Sequence, residues 1–60
     1  MNLIEARECV GSKVLYRPNH QKTGGEEGVI TSVGKVYVFV RYGDDSFSKA
    51  TSASMLRLIQ

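Results

Sequence analysis

The sequence predicts a mainly β chain, folded as a small barrel of about five antiparallel strands after a short N-terminal helix. Short runs rich in β-branched and aromatic residues recur along the chain, and glycine, proline or aspartate separates them. Sixty residues provide one thin core. A sheet this small can hide its apolar face only by curling onto itself. We therefore expect a single domain over residues 1–60, with the helix at 2–10 and the barrel at 13–59.

The first element is a helix over residues 2–10. Asn2 is suited to cap its N-terminus, and Glu5, three residues later, completes a capping box. Apolar residues recur at helical spacing on one face, with Ile4 beside them: Leu3, Ala6 and Val10. Gly11 then ends the helix. Because so short a helix is unstable alone in water, we expect it to pack on the sheet.

The segment Lys13–Arg17 is the first predicted strand, with Val14 and Tyr16 on one face. Pro18 ends it, because proline cannot donate to a ladder. The polar, glycine-bearing residues 18–25 predict a long surface loop, and Glu26 and Glu27 lead back into the next predicted strand.

The segments 28–33 and 36–42 predict the central hairpin. Gly34 and Lys35 separate them, which indicates a type II′ turn with a positive φ at Gly34. This turn sets the expected pairs on the core face: Val33 with Val36, Thr31 with Val38, and Val29 with Val40. It sets the pairs on the opposite face as well: Ser32 with Tyr37, Ile30 with Phe39, and Gly28 with Arg41. Val29, Val38 and Val40 are therefore expected in the core.

The remaining elements are short. Gly43–Asp45 predicts a turn, since both residue types tolerate turn geometry. Ser46–Ala50 then reads as a fourth strand, Thr51–Ser54 as a polar bend with a 3₁₀ turn, and Met55–Ile59 as the closing strand.

Composition limits the classes of function. The net charge of +2 and pI of about 8.9 leave nucleic-acid binding open without favouring it. Acids at Glu5 and Glu8 argue against a signal peptide, and no apolar run reaches the roughly 20 residues that span a bilayer. The single cysteine, Cys9, is typical of a reducing compartment, so we expect a cytoplasmic protein without membrane contact.

Side chains that carry chemistry are few. Cys9 and His20 have no third orienting residue, so we expect no catalysis. Asp44 and Asp45 are better explained as turn residues than as metal ligands. The glycines lack the Lys-Ser or Lys-Thr of a phosphate loop. We expect no enzyme, no metal and no cofactor.

Four segments carry a resemblance: GSKVLYR, EEGVITSV, VYVFVRYGDD and SMLRLI. In this order the chain resembles Tudor and other SH3-like barrels over about residues 10–59, and also small proteins of tailed phages and prophages. The resemblance implies an SH3-like barrel, and Tudor domains hold methylated lysine or arginine in an aromatic cage. Tyr42 and Asp44 match the third-strand tyrosine and turn acid of that family. The loop Arg17–Glu27 contains no Phe, Tyr or Trp.

The best predicted site combines one face of the hairpin with the first loop. Aromatic residues that alternate with a cation on a sheet can hold a peptide side chain or stack on bases. The candidate surface is Arg17, His20, Lys22, Lys35, Tyr37, Phe39 and Arg41. In the alternative interpretation, the helix, through Leu3 and Ile4, or the closing strand covers the two rings.

Three functions stay open. The leading hypothesis is a non-enzymatic module that binds a protein partner, as a monomer or weak dimer. The first alternative is a nucleic-acid binder with phosphate contacts at Arg17, Lys22, Lys35 and Arg41. The second is a self-assembling structural component of a phage.

Overall fold

The computed structural model describes residues 1–18 and 24–59. Its elements are α1 (Leu3–Glu8), β1 (Lys13–Tyr16), β2 (Glu26–Val33), β3 (Val38–Tyr42), β4 (Lys49–Thr51) and β5 (Leu56–Leu58). The strands form one antiparallel sheet in the order β4-β3-β2-β1-β5. The mainly β class and the short N-terminal helix are confirmed. Within the described ranges the sheet is not closed, because β4 and β5 are its two edges.

The helix begins as the sequence predicts. The side chain of Asn2 accepts a 2.8 Å hydrogen bond from the backbone N–H of Glu5. The helix ends at Glu8, earlier than the predicted residue 10. Gly11, with a φ of 93°, then turns the chain into β1 and donates its N–H to Ile30 O at 2.8 Å.

One face of α1 covers the core. Ala6 is fully buried and Leu3 packs against the same cluster. Val10 and Ile4 are exposed, so the predicted apolar face is narrower than its spacing suggested. The helix ends before Val10, which removes this residue from the helical face.

The predicted hairpin is present, but its turn and register are wrong. Gly34 does not have a positive φ, and its N–H donates to Tyr37 O at 2.8 Å. This bond leaves Lys35 and Val36 at the tip, one residue later than predicted. The observed pairs are Val33 with Val38, Ser32 with Phe39, Ile30 with Val40, Val29 with Arg41 and Gly28 with Tyr42. Compared with the predicted pairs, each β2 residue between the turn and Thr31 pairs two residues later in β3. On the other side of a bulge at Thr31, each β2 residue pairs one residue later than predicted.

The bulge explains the face assignment. Ile30 and Val33 are three positions apart, so in a regular strand they would face opposite sides of the sheet. The extra residue at Thr31 lets both face inward. Ile30 is fully buried and Val29 is only half-buried, so the prediction of Val29 in the core is wrong. Val38 and Val40 are fully buried, as predicted. The larger Ile30 side chain takes the place expected for Val29.

The core draws on most elements of the fold. Its buried apolar members are Ala6, Val14, Ile30, Val38, Val40, Tyr42 and Leu56. On β4 the buried residue is polar: Thr51, whose hydroxyl is hydrogen-bonded. Both edge strands thus contribute an inward residue to the concave side of the sheet.

The last two strands are shorter than predicted. β4 covers Lys49–Thr51 instead of Ser46–Ala50, and β5 covers Leu56–Leu58 instead of Met55–Ile59. A 3₁₀ turn at Ala53–Met55 joins them, slightly later than the predicted bend. The Gly43–Asp45 turn is confirmed, since Asp45 N–H donates to Tyr42 O at 2.9 Å.

Candidate functional site

Four of the predicted surface residues follow one strand and its preceding turn. Phe39 and Arg41 point to the outer side of β3, because Val38 and Val40 point inward. Phe39 is half-buried and Arg41 is exposed. Lys35 is exposed at the tip, and Tyr37 is 49% exposed beside it.

Arg17 lies at the other end of the hairpin. Its backbone N–H donates to Met55 O at 3.0 Å, and its Nε donates to Gly24 O at 3.1 Å. Gly24, the partner of Arg17, precedes β2, and Lys35 follows it. The eight residues of β2, about 25 Å of strand, therefore separate Gly24 from Lys35. Arg17 therefore lies at the end of β2 away from Lys35 and the hairpin turn. His20 and Lys22 lie outside the described residues.

The helix does not cover the outer side of β3. Leu3 and Ala6 pack against the core on the concave side, opposite Phe39. Arg7 Nη2 donates to Gly34 O at 3.4 Å, which places the helix beside the start of the hairpin turn. The proposed covering of Phe39 through Leu3 and Ile4 is not seen, and Ile4 is 68% exposed.

A cleft of about 240 Å³ opens at the end of the sheet where β1 finishes and β2 begins. It lies between that end and the β4–β5 connection. Its walls are Tyr16, Glu26, Tyr42, Lys49, Ala50, Thr51, Ser52 and Met55. The cleft is therefore lined by residues of β1 to β4 and of the β4–β5 connection.

Two tyrosines form the aromatic part of this cleft. The rings of Tyr16 and Tyr42 lie edge to face, with centroids 5.9 Å apart and planes at 63°. Their strands are not neighbours, because β2 runs between β1 and β3. Gly28 of β2 pairs with both Val14 and Tyr42 and has no side chain on the inner face. The absence of a side chain there gives the Tyr42 ring room to cross β2 toward Tyr16.

The inner wall of the cleft is polar and internally satisfied. The Tyr42 hydroxyl and Thr51 Oγ1 are 2.9 Å apart, and Thr51 Oγ1 also donates to Lys49 O at 3.3 Å. Burial raises the pKa of Tyr42, and the hydrogen bond to Thr51 opposes this shift. The negative charge of Glu26 raises the same pKa further. Tyr42 is therefore a neutral hydroxyl at physiological pH.

Charged groups lie at the mouth. Glu26 is exposed there, and Lys49 Nζ lies 3.7 Å from Asp45 Oδ2. Because both partners of this ion pair are well exposed, it is worth little in stability. It does give Lys49 a counter-charge outside the cleft, whereas the carboxylate of Glu26 has no ion-pair partner among residues 1–18 and 24–59.

The described residues bring no metal-binding cluster together. No group of three His, Cys, Asp or Glu residues in ranges 1–18 and 24–59 could hold a metal ion. Cys9 is half-buried beside the core, and His20, for which the sequence predicts no catalytic pairing with Cys9, lies outside the described residues. What the geometry offers is a concave surface for binding.

Sequence reasoning missed most of this cleft. Tyr16, Glu26 and Met55 are absent from the predicted surface, because they come from three segments that only the fold brings together. One signal was present in the sequence. A glycine inside a strand of bulky residues often marks a close approach of another group, and Gly28 is such a residue.

Comparisons with protein-family models, with curated protein sequences and with solved structures give no match. No described helix is long and apolar enough to cross a membrane.

Proposed function

We propose that this chain is a non-enzymatic binding module that recognises a protein partner by taking one of its side chains into the Tyr16–Tyr42 cleft. The observation that carries this proposal is the cleft itself: two rings in contact, a thioether wall and one carboxylate at the mouth. A volume of about 240 Å³ is smaller than the roughly 300–1,000 Å³ of most small-molecule sites. It suits a single side chain of an extended peptide.

The proposal includes the shape of the sheet. We infer that the sheet curls as an SH3-like barrel, with β4 and β5 approaching each other across the cleft. Thr51 of β4 and Leu56 of β5 are both buried, although they belong to opposite edges of the sheet. Arg17 N–H also donates to Met55 O, which continues the β1–β5 pairing toward β4. Such a curl would make the cleft a slot between two strand edges.

The walls favour a long side chain with a cationic end. The faces of tyrosine rings attract cations, and their edges accept an aliphatic stem. Glu26 supplies a carboxylate at the opening, and Met55 supplies a polarizable, adaptable wall. Tyr42 is also the residue at which the chain matches the third-strand tyrosine of Tudor-like barrels. Tyr16 supplies a second ring from β1, although the first loop contains no Phe, Tyr or Trp.

The first test blocks the cleft. Ser52 lines it with an extended backbone (φ −66°, ψ 130°) that accepts any side chain, so Ser52→Trp should fill the opening without strain. Ser54→Trp is the matched control, because Ser54 is exposed outside the cleft and both substitutions remove the same 3.0 Å Ser52–Ser54 hydrogen bond. Peptides selected from a random displayed library on the unmodified chain should lose binding to Ser52→Trp and keep binding to Ser54→Trp. Equal binding by both variants would contradict the proposed site.

The second test concerns the charge. Glu26→Gln should weaken the selected peptides severalfold, and the peptides should share a lysine or arginine. Glu27→Gln is the control, because Glu27 is the next residue of β2 and faces the other side of the sheet. Selected peptides without a shared basic residue, or equal effects of the two variants, would show that the carboxylate of Glu26 has no role in recognition.

A further inference from the structure

The outer face of the sheet, opposite the core, carries basic residues from three strands. The register places Lys13 of β1, Val29 of β2 and Arg41 of β3 in one row across the sheet. Arg57 of β5 lies in the next row, opposite Leu15 of β1. We name Lys13, Arg41 and Arg57 the outer cations.

The outer cations are exposed and have no carboxylate within ion-pair distance among residues 1–18 and 24–59. Glu27 is the acid that the register places on this face, opposite Leu15. Three positive charges against one negative charge leave the face basic, although the net charge of the whole chain is only +2. The sheet therefore concentrates positive charge that is dispersed in the sequence.

An apolar platform lies among the outer cations. Leu15, Val29 and Phe39 are half-buried on this face. The partners of Phe39 on the two neighbouring strands are Ser32 and Ala50, both small and exposed. The residues directly opposite Phe39 are therefore small, and its ring is partly accessible from this face.

Two hydroxyl groups meet over β3 on the same side. Thr31 Oγ1 and Ser48 Oγ are 2.5 Å apart, and Thr31 Oγ1 also donates to Phe39 O at 3.1 Å. Thr31 and Ser48 come from β2 and from the segment before β4, so their contact crosses β3. Side-chain hydroxyls on a surface are groups that commonly contact phosphate oxygens.

We propose that this face binds a single-stranded nucleic acid, with phosphates contacted by the outer cations and a base stacked on Phe39. Charge complementarity identifies a polyanion, and the partly accessible Phe39 ring distinguishes a nucleic acid from an acidic peptide, because every base offers a π-face for stacking. A duplex hides those faces inside its stack, and the described part of this face presents no helix that could enter a groove. This face is separate from the Tyr16–Tyr42 cleft, so the proposal can be tested independently of the proposed peptide site.

The test measures the salt dependence of binding to a fluorescently labelled 20-nucleotide oligothymidylate. Three phosphate contacts predict a slope of log K against log salt concentration near −2, at about −0.7 per contact on single strands. Arg41→Ala and Arg57→Ala should each move the slope toward zero by about 0.7. Lys49→Ala is the matched control, since it removes the same charge from a side chain paired with Asp45 at the cleft. It should leave the slope unchanged.

Phe39→Leu tests the stacking contact. This variant keeps an apolar side chain under Gly34 and removes the ring, so affinity should fall roughly fivefold or more with the slope unchanged. Thermal unfolding of each variant checks that the fold is intact. Equal slopes for all three charge variants, equal affinity for poly-glutamate, or tighter binding to the duplex of the same length would each overturn the proposal.

Discussion

Tyr16 and Tyr42 touch across an intervening strand, with ring centroids 5.9 Å apart. The contact exists because Gly28, on the strand between them, presents only backbone to the inner face. A Cβ added at Gly28 would lie 2.9 Å from Tyr42 Cδ1, 2.9 Å from Arg41 O and 2.5 Å from Val40 Cγ1. The absence of a side chain at Gly28 thus leaves room for both the buried Val40 and the Tyr42 ring of the cleft.

The first prediction follows from this crowding. Gly28→Ala should destabilise the fold by about 2 kcal/mol or more, because an added methyl group overpacks a site lined by backbone and a fully buried valine. Gly34→Ala is the control: its φ is not positive, and its nearest neighbour would be the end of the Phe39 ring at 3.1 Å. Urea unfolding should show a clearly smaller loss for Gly34→Ala. Equal losses would mean that Gly28 is not tightly enclosed.

The second prediction separates the core from the hairpin tip. Ile30→Ala and Val40→Ala should each cost about 2–4 kcal/mol, through lost burial and the cavity left behind. Val36→Ala, at a position that is 67% exposed, should change the free energy of unfolding by less than about 0.5 kcal/mol. A large loss of stability in Val36→Ala with a small loss in Ile30→Ala would contradict this assignment. It would favour the register predicted from the sequence, in which Val36 pairs with Val33 on the core face.

The third prediction concerns alkaline pH. Because burial raises the pKa of Tyr42 above its ordinary value of about 10, the folded chain keeps the phenolic proton where the unfolded chain has lost it. The stabilising contribution is complete below pH of about 10 and is lost as the pH rises through the folded pKa. Tyr42→Phe should therefore flatten the fall of stability above pH of about 10, whereas Tyr37→Phe, at an exposed ring, should not. A fall of the same steepness in both variants would contradict this assignment.

The same variant removes a hydrogen bond. Tyr42→Phe should cost about 1 kcal/mol at neutral pH, because Thr51 Oγ1 loses its 2.9 Å partner and keeps only Lys49 O. Thr51→Val, which removes the hydroxyl from the other side, should cost a similar amount. In the double variant the total loss should be smaller than the sum of the two single losses, since both single variants remove the Tyr42–Thr51 hydrogen bond.

Local signals in the sequence located most of the elements. Asn2 caps the helix, Pro18 follows the end of β1 and Gly43 makes the turn after β3, because each acts through its own backbone chemistry. Alternation also identified Val38 and Val40 as core residues. Such signals involve only a few neighbouring residues, so one sequence suffices to read them.

These local signals could not predict the register of the hairpin or the position of the cleft. The pattern around Gly34 fits a two-residue turn, but the bulge at Thr31 depends on how Ile30 and Val33 pack against other elements. The cleft likewise depends on β4 and the start of β2 reaching the same end of the sheet. Both are outcomes of tertiary packing, which single-residue preferences do not encode.

The most direct test of the proposed function is an NMR titration of the chain with a selected peptide, using ¹³C-labelled methionine methyl groups. Met55 lines the cleft, and Met1 packs against the core near β5, so the Met1 methyl serves as an internal reference. We predict intermolecular nuclear Overhauser effects between the Met55 methyl and one peptide side chain, with shifts at the Tyr16 and Tyr42 rings. Peptide contacts confined to Lys35, Tyr37 and Phe39, with Met55 and both cleft rings unperturbed, would contradict the account and place recognition at the other end of the hairpin.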